Sequence, residues 1–259
     1  MSNSYFNGAN FINIAQLLVF QGHFGGKASI IHPASAIFAF GRRFFLIFLD
    51  LRFSVFFIRR SLGLCLEISY KNGQTFFSGG LDYHSTFLLN LFDYWHPKSS
   101  NKLFIVACFH WFGGALTNFK MWSRFVNFIN LFIQTASGDN FYSEKYSKNL
   151  VTTFGGLRYL HLVPPLVISF SLSNHLILKQ ETRILGIPLI SFVDLSIDPV
   201  GVLYPIACNN LSLSLHFYIL SIFLTGILIG RNRRVRHFRS GILRLKVYLQ
   251  LANNSYNIL

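Results

Sequence analysis

The chain reads as an α/β protein with parallel strands, and three features of residues 166–206 carry that reading. Leu166–Phe170 and Leu189–Val193 are short apolar runs, of the length and β-branching of strands buried on both faces. Between them Ile177 and Ile184, with Leu178 and Leu185, recur one heptad apart, as on a helix with one apolar side. Gly186 then ends that helix and Pro188 prevents its return. A strand, a helix and a strand in succession imply a crossover between parallel neighbours.

The remaining elements follow from the same signals. Ser173 or Asn174 is placed to cap the helix before Ile177, and Asp194 follows the second strand at its carboxyl end. Asp198-Pro199 with Gly201 makes a turn, and Val202–Ile206 can form another strand. Asn209 or Asn210 can cap a long helix from about Leu211 to Ile229. Earlier in the chain, Phe44–Leu49, Thr75–Phe77 and Leu103–Phe109 read as strands. Gly113-Gly114 permits a sharp turn, and Thr117 or Asn118 can cap the helix that follows. Trp122, Phe125, Ile129 and Phe132 form one apolar stripe on it. Ser137-Gly138-Asp139-Asn140 breaks that helix, so residues 119–150 read as a helical hairpin inserted in the domain.

Composition narrows the partners. Lys and Arg total 23 against 9 Asp and Glu, for a formal charge of +14, which favours a polyanion: nucleic acid or an anionic membrane surface. Yet hydrophobic residues make up 52% and mean hydropathy is +0.43, so a membrane protein with basic loops stands beside an RNA-binding protein. The 30 Phe and 11 Tyr, with abundant Leu, Ile, Ser and Asn, are what a genome drifting toward A and T favours, as in an organelle. Residues 1–21 carry no Lys or Arg and resemble neither a transit peptide nor a basic-start signal. A chain made inside the organelle needs neither. Cys65, Cys108 and Cys208 lie far apart and read as buried thiols, not as a zinc site or a disulfide.

No catalytic constellation emerges. The nine His are scattered, the carboxylates do not pair at helical spacing, and Gly22, Gly25 and Gly26 do not fit a phosphate loop. Asp194 sits where open α/β sheets place ligand groups, but turn-capping by Asp194 and Asp198 is the better reading. No cofactor and no metal is expected. Beyond Asp198 no acidic residue occurs, and Arg231, Arg233, Arg234, Arg236, Arg239, Arg244 and Lys246 fall within sixteen residues. Phosphate contact and a solvated or disordered arm are comparable readings of that run.

Four stretches, in order, resemble the small-subunit ribosomal protein S2 family of bacterial-type ribosomes. His23-Phe24-Gly25, His32-Pro33 and Phe40-Gly41-Arg42 resemble its opening signature. Trp111 through Asn118, containing Gly113-Gly114 and Leu116-Thr117-Asn118, is similar to its Trp-x-Gly-Gly-x-Leu-Thr-Asn motif. Gly155-Gly156-Leu157 and Pro164-Pro165 stand where it has a Gly-Gly and a Leu-Pro. Leu185-Gly186-Ile187-Pro188, Val193-Asp194 and Asp198-Pro199-x-Gly201-Val202 are similar to its last run. Departures include Gly26 where the family usually has a second His, and His110 where it has Arg. Such drift suits a mitochondrial member better than a plastid one.

The resemblance implies a three-layer flavodoxin-like domain with a mainly parallel sheet over residues 21–230, after an N-terminal segment 1–20. A projecting hairpin and a basic extension, 231–259, complete the expectation. It implies no catalysis, a place on the small ribosomal subunit, and contacts to its RNA and to neighbouring ribosomal proteins in the mitochondrial matrix. Lys27, Arg42, Arg43, Lys120 and Arg124, in or beside the matched motifs, become candidates for phosphate contact, with Arg59-Arg60 weaker. Trp111 either stacks on a base or packs against the hairpin. The rival is a membrane protein: Leu211–Gly230 has His216 as its one ionisable residue and is followed by Arg231-Asn232-Arg233-Arg234. A flavodoxin-like enzyme would need a convergent polar pocket, and the sequence names none.

Overall fold

The protein, a computed structural model, is described over residues 12–27, 31–79, 104–107, 111, 113–135, 162–172 and 176–256. Its main sheet contains β4 (Thr75–Ser78), β5 (Phe104–Ala107), β6 (Leu166–Ser169), β7 (Leu189–Val193) and β8 (Tyr204–Ala207). The order is β5-β4-β6-β7-β8 and every pairing is parallel. Counted within this sheet, that is 2-1-3-4-5, the flavodoxin-like order. The expected three layers are present, because neighbouring side chains on each strand go to opposite faces. Phe77, Ile168, Ile190 and Phe192 join one core, and Phe76, Val167, Leu189 and Val193 join another.

Two long helices close the first face. One, α2 (Leu51–Tyr70), begins at Asp50, whose carboxylate accepts from the Arg52 N–H at 3.0 Å. It buries Leu51, Val55, Ile58, Leu62 and Cys65, one stripe at 4-3-4-3 spacing, following the short helix α1 (Ile14–Val19). A side chain on Gly226 or Gly230 of the last helix would meet Leu62 Cδ1 or Leu66 O, each at 2.4 Å. These two glycines therefore let the helices touch almost backbone to backbone. On the other face, the shorter helix α4 (Leu176–Leu185) and the segment around Trp111 cover the sheet; the helix α3 (Phe119–Thr135) follows that segment.

Several expectations need correction. The strand read over Phe44–Leu49 is shorter than expected: Leu46–Leu49 is β3, and Phe44 and Phe45 form a turn that joins it to β2 (Ala39–Arg43). With β1 (Phe24–Lys27) these make a separate antiparallel sheet, ordered β1-β3-β2. The final helix, α5, spans Leu213–Tyr256, so no break follows Gly230 and the basic segment continues the helix. Arg, Leu and Lys favour helix, no proline intervenes, and Gly230 marks a close approach to α2 instead of a stop. Ser212, not Asn209 or Asn210, accepts from a first-turn N–H, that of Leu215 at 3.4 Å; Asn209 accepts from Leu211 outside the helix.

Leu213–Arg239 is long and apolar enough to cross a membrane, but half of its most apolar 18-residue stretch is buried within the protein. Leu215, Ile219, Leu220, Phe223 and Ile227 pack into the sheet's core, and His216 meets the stacked rings of Phe170 and Phe192 edge-on. That is how the last helix of a layered domain packs. Cys65 and Cys208 are buried thiols as expected, with ionisation pushed up by burial. The cap at Ser173 or Asn174, the returning arm of the hairpin, Gly155-Gly156 and Cys108 lie outside the described residues.

Candidate nucleic-acid interface

Several of the motifs form turns of the α/β domain. At the end of α4 the Ile187 N–H donates to Thr182 O at 2.9 Å and the Gly186 N–H to Arg183 O at 3.3 Å. With Gly186 at φ +66°, this paired cap ends the helix and sends Pro188 into β7. Asp194 accepts from the Leu195 N–H at 2.7 Å and Asp198 from the Val200 N–H at 2.9 Å, so both carboxylates cap turns. That N–H, and then Lys179, hold the Asp198 carboxyl below the usual carboxylate range. The Val202 N–H donates to Pro199 O at 3.1 Å, a turn that Gly201 enters at φ +94°.

The loop Trp111–Asn118 is held by a residue that sequence reasoning missed. Glu181 of α4 is buried, and its carboxylate accepts from Gly114 N–H at 2.6 Å and Leu116 N–H at 2.8 Å. It accepts further from Trp111 Nε1 at 3.2 Å and Thr117 N–H at 3.3 Å. One carboxylate thus serves four donors of the loop, and the bonds to Trp111 Nε1 and the Leu116 N–H are buried ones. The available signal was its place one turn after Leu178, a charge on the helix's apolar side.

Trp111 is correspondingly a core residue. It meets Phe76 edge-on at 5.6 Å between centroids and shares a cluster with Phe119 and Trp122 of α3. Of the two readings open in the sequence, packing is the one the geometry supports, and the ring is not presented for base stacking. Gly114 adopts φ +88°, which explains the glycine; a side chain on Gly113 would meet Ile177 only at an ordinary 3.7 Å. Of the two glycines read as permitting a sharp turn, only Gly114 has the positive φ that calls for one. Asn118 starts α3 through its carbonyl, which accepts from Met121 and Trp122 N–H at 3.1 Å each, while Thr117 is exposed.

The opening signature lies in the antiparallel sheet. His23 O accepts from the Leu49 N–H at 2.8 Å, Phe24 opens β1, and a side chain on Gly25 would come within 2.8 Å of Ile47 O. Lys27 is exposed at the end of β1, and Arg42 and Arg43 are exposed on β2. Both arginines line an open groove of about 660 Å³ with His23, Phe40 and Asp50. Asp50, the one carboxylate there, is held by Arg52 at 2.7 Å, which keeps it below the usual carboxylate range.

The other candidate cations are spread over two helices. Lys120 and Arg124 are exposed on α3. On α5, Arg233, Arg236 and Arg239 are exposed, Arg231 is partly covered, and Arg234 leans over the Phe238 ring at 5.3 Å. His237 reaches Tyr70 at the end of α2, so α5 continues for about 28 Å beyond that turn at 1.5 Å per residue. Arg59 instead donates to Ile12 O at 2.7 Å, and Arg60 lies 4.9 Å over Phe56. Among the described residues no His, Cys, Asp and Glu cluster could hold a metal.

Comparison with known proteins places this geometry. Residues 17–230 match the family model described as Ribosomal protein S2. Relatives include the small ribosomal subunit protein uS2 of Dehalococcoides mccartyi, 27% identical over 207 residues, covering 76% of this chain and 82% of that one. The uS2 proteins of Brucella ovis (25% identical, 76% and 78% covered) and Paramagnetospirillum magneticum (26%, 75% and 74%) are similar to it as well. With the fold, the ordered motifs and the match in agreement, the chain belongs to the ribosomal protein S2 family, whose members are structural and non-enzymatic.

Proposed function

We propose that this protein is built into the small subunit of a mitochondrial ribosome, where it binds small-subunit RNA and abuts neighbouring ribosomal proteins in support of translation. The observation that carries the RNA-binding part is Arg42 and Arg43, exposed within a family signature beside a groove whose single carboxylate is already paired with Arg52. Such cations neutralise phosphates and fix orientation without reading sequence. The basic length of α5 extends the same chemistry along a rigid helix. Support for the mitochondrial part is compositional: the Phe-rich, A and T-favoured residue usage and the drifted motif positions Gly26 and His110.

Ultraviolet cross-linking of small subunits purified from mitochondria, followed by mass spectrometry of nucleotide-bearing peptides, tests the RNA contacts. Adducts on peptides spanning residues 24–43 or 231–239 are the expected result. Adducts on other proteins of the subunit but on no peptide of this one would overturn the RNA-binding reading.

A further inference from the structure

The tip of the β2–β3 hairpin is the most exposed aromatic feature among the described residues. Phe44 is 81% exposed, Phe45 79% and Phe40, on the edge strand β2, 73%. A hairpin turn ordinarily favours Asn, Asp or Gly, the more so where φ is positive, and Phe44 sits at φ +55°. Two bulky rings in water at such a turn contribute nothing to the core. The surroundings are cationic: Arg42 Nε donates to Phe44 O at 3.0 Å, fixing the turn, and the Arg43 guanidinium lies 5.9 Å from the centre of the Phe44 ring.

We propose that this tip is a platform for unpaired RNA nucleotides, with Phe44 and Phe45 stacking on splayed bases and Arg42 and Arg43 holding the adjoining phosphates. The occupant follows from the pairing of groups. A ring and a cation side by side match a base and its phosphate, the pair that every nucleotide offers whatever its sequence. A duplex hides its base faces, so the platform takes single-stranded or looped segments. Charge agrees: Asp50, the nearest carboxylate of the groove, is neutralised by Arg52. The inference rests on the RNA-binding reading above and adds to it a surface and an RNA class.

The test measures binding of the full-length chain to an unstructured oligouridine and to an RNA duplex of equal length, at one salt concentration. The Phe44→Leu/Phe45→Leu variant keeps apolar bulk and the strained turn but removes the ring faces. It should bind oligouridine about fivefold or more weakly, since a stacked base is worth roughly 1–3 kcal/mol, with duplex affinity unchanged. Phe44→Tyr/Phe45→Tyr should restore oligouridine affinity, and Arg42→Gln/Arg43→Gln should weaken both RNAs. Because the tip is exposed, both Phe variants should melt with the parent. If the Leu variant binds oligouridine like the parent, or loses both RNAs equally, the platform is overturned and the rings are compositional drift. Loss of a neighbouring protein from subunits assembled with the Leu variant, at unchanged RNA affinity, would instead make the tip a protein contact. A parent chain that binds neither RNA would sink the underlying RNA-binding reading as well, which separates the two failures.

Discussion

The Glu181 carboxylate accepts the Gly114 N–H at 2.6 Å, joining the middle of α4 to the turn from which α3 departs. The two residues are far apart in sequence, and the bond sets where α3 leaves the domain. Three further donors share the carboxylate, so its loss strands at least two buried polar groups, Trp111 Nε1 and the Leu116 N–H, at once.

Glu181→Ala is therefore expected to destabilise the domain by about 3 kcal/mol or more, since each unsatisfied buried group costs roughly 1–3 kcal/mol. For a domain of this size that is a fall in Tm of about 6–12 °C. Glu181→Gln keeps the shape but turns an N–H toward N–H donors, and should fall between the parent and the Ala variant. Circular dichroism melting measures both; parental Tm in the Ala variant would show that the loop holds itself.

Gly230 and Gly63 make a paired prediction about α2 and α5. A methyl on Gly230 would lie 2.4 Å from Leu66 O, so Gly230→Ala must push the helices apart and lower stability by about 1–3 kcal/mol. Gly63 meets nothing within 4 Å and is exposed in mid-helix, so Gly63→Ala should stabilise by roughly 0.5–1 kcal/mol. Urea unfolding of the two variants should move in opposite directions.

Acid sensitivity should trace partly to Asp50. Its carboxyl is held low, first by the Arg52 side chain and also by the Arg52 N–H. A carboxyl with a lowered native pKa contributes stability that is full above the unfolded value, near pH 4, and is lost as pH falls through the native value. Asp198, lowered in the same direction, adds to the slope. Asp50→Asn should be less stable than the parent at neutral pH, with the gap narrowing below about pH 4. A gap that is constant down to acid would remove Asp50 from the account.

Arg233, Arg236 and Arg239 are exposed along α5, and their joint replacement by Gln leaves the buried face of the helix untouched. If all three meet phosphates, the slope of log affinity against log salt should flatten by about two to three units, at 0.7–0.9 per phosphate. Fluorescence anisotropy across a salt series reads this directly. An unchanged slope would assign the run to solvent.

What the sequence disclosed was local. The β6–α4–β7 unit was legible because Gly186 and Pro188 announce its turn and the strands are continuous apolar runs. The turn-capping of Asp194 and Asp198 was legible for the same reason. Helix α2 was obscured because Ser54, Ser61 and Ser69 share its buried side, blurring the stripe from Leu51 to Cys65. The antiparallel sheet was missed as a unit, since pairing Phe24 with Phe48 is a non-local choice that no turn signal fixes. For Glu181 the purpose is set by a loop some 65 residues earlier, and only its place on an apolar side hinted at it. The tail was misjudged because a repelling charge run suggests disorder, whereas here it prolongs a helix already nucleated by its contacts with the sheet and α2.

Membership of a mitochondrial small ribosomal subunit is tested most directly by sedimentation of a mitochondrial lysate on a sucrose gradient, with the chain followed by mass spectrometry. It should peak with the small subunit at low salt and remain there after the membranes are solubilised. Recovery in the membrane pellet after alkaline carbonate washing and ribosome dissociation would contradict the account and return Leu213–Arg239 to the role of a spanning helix.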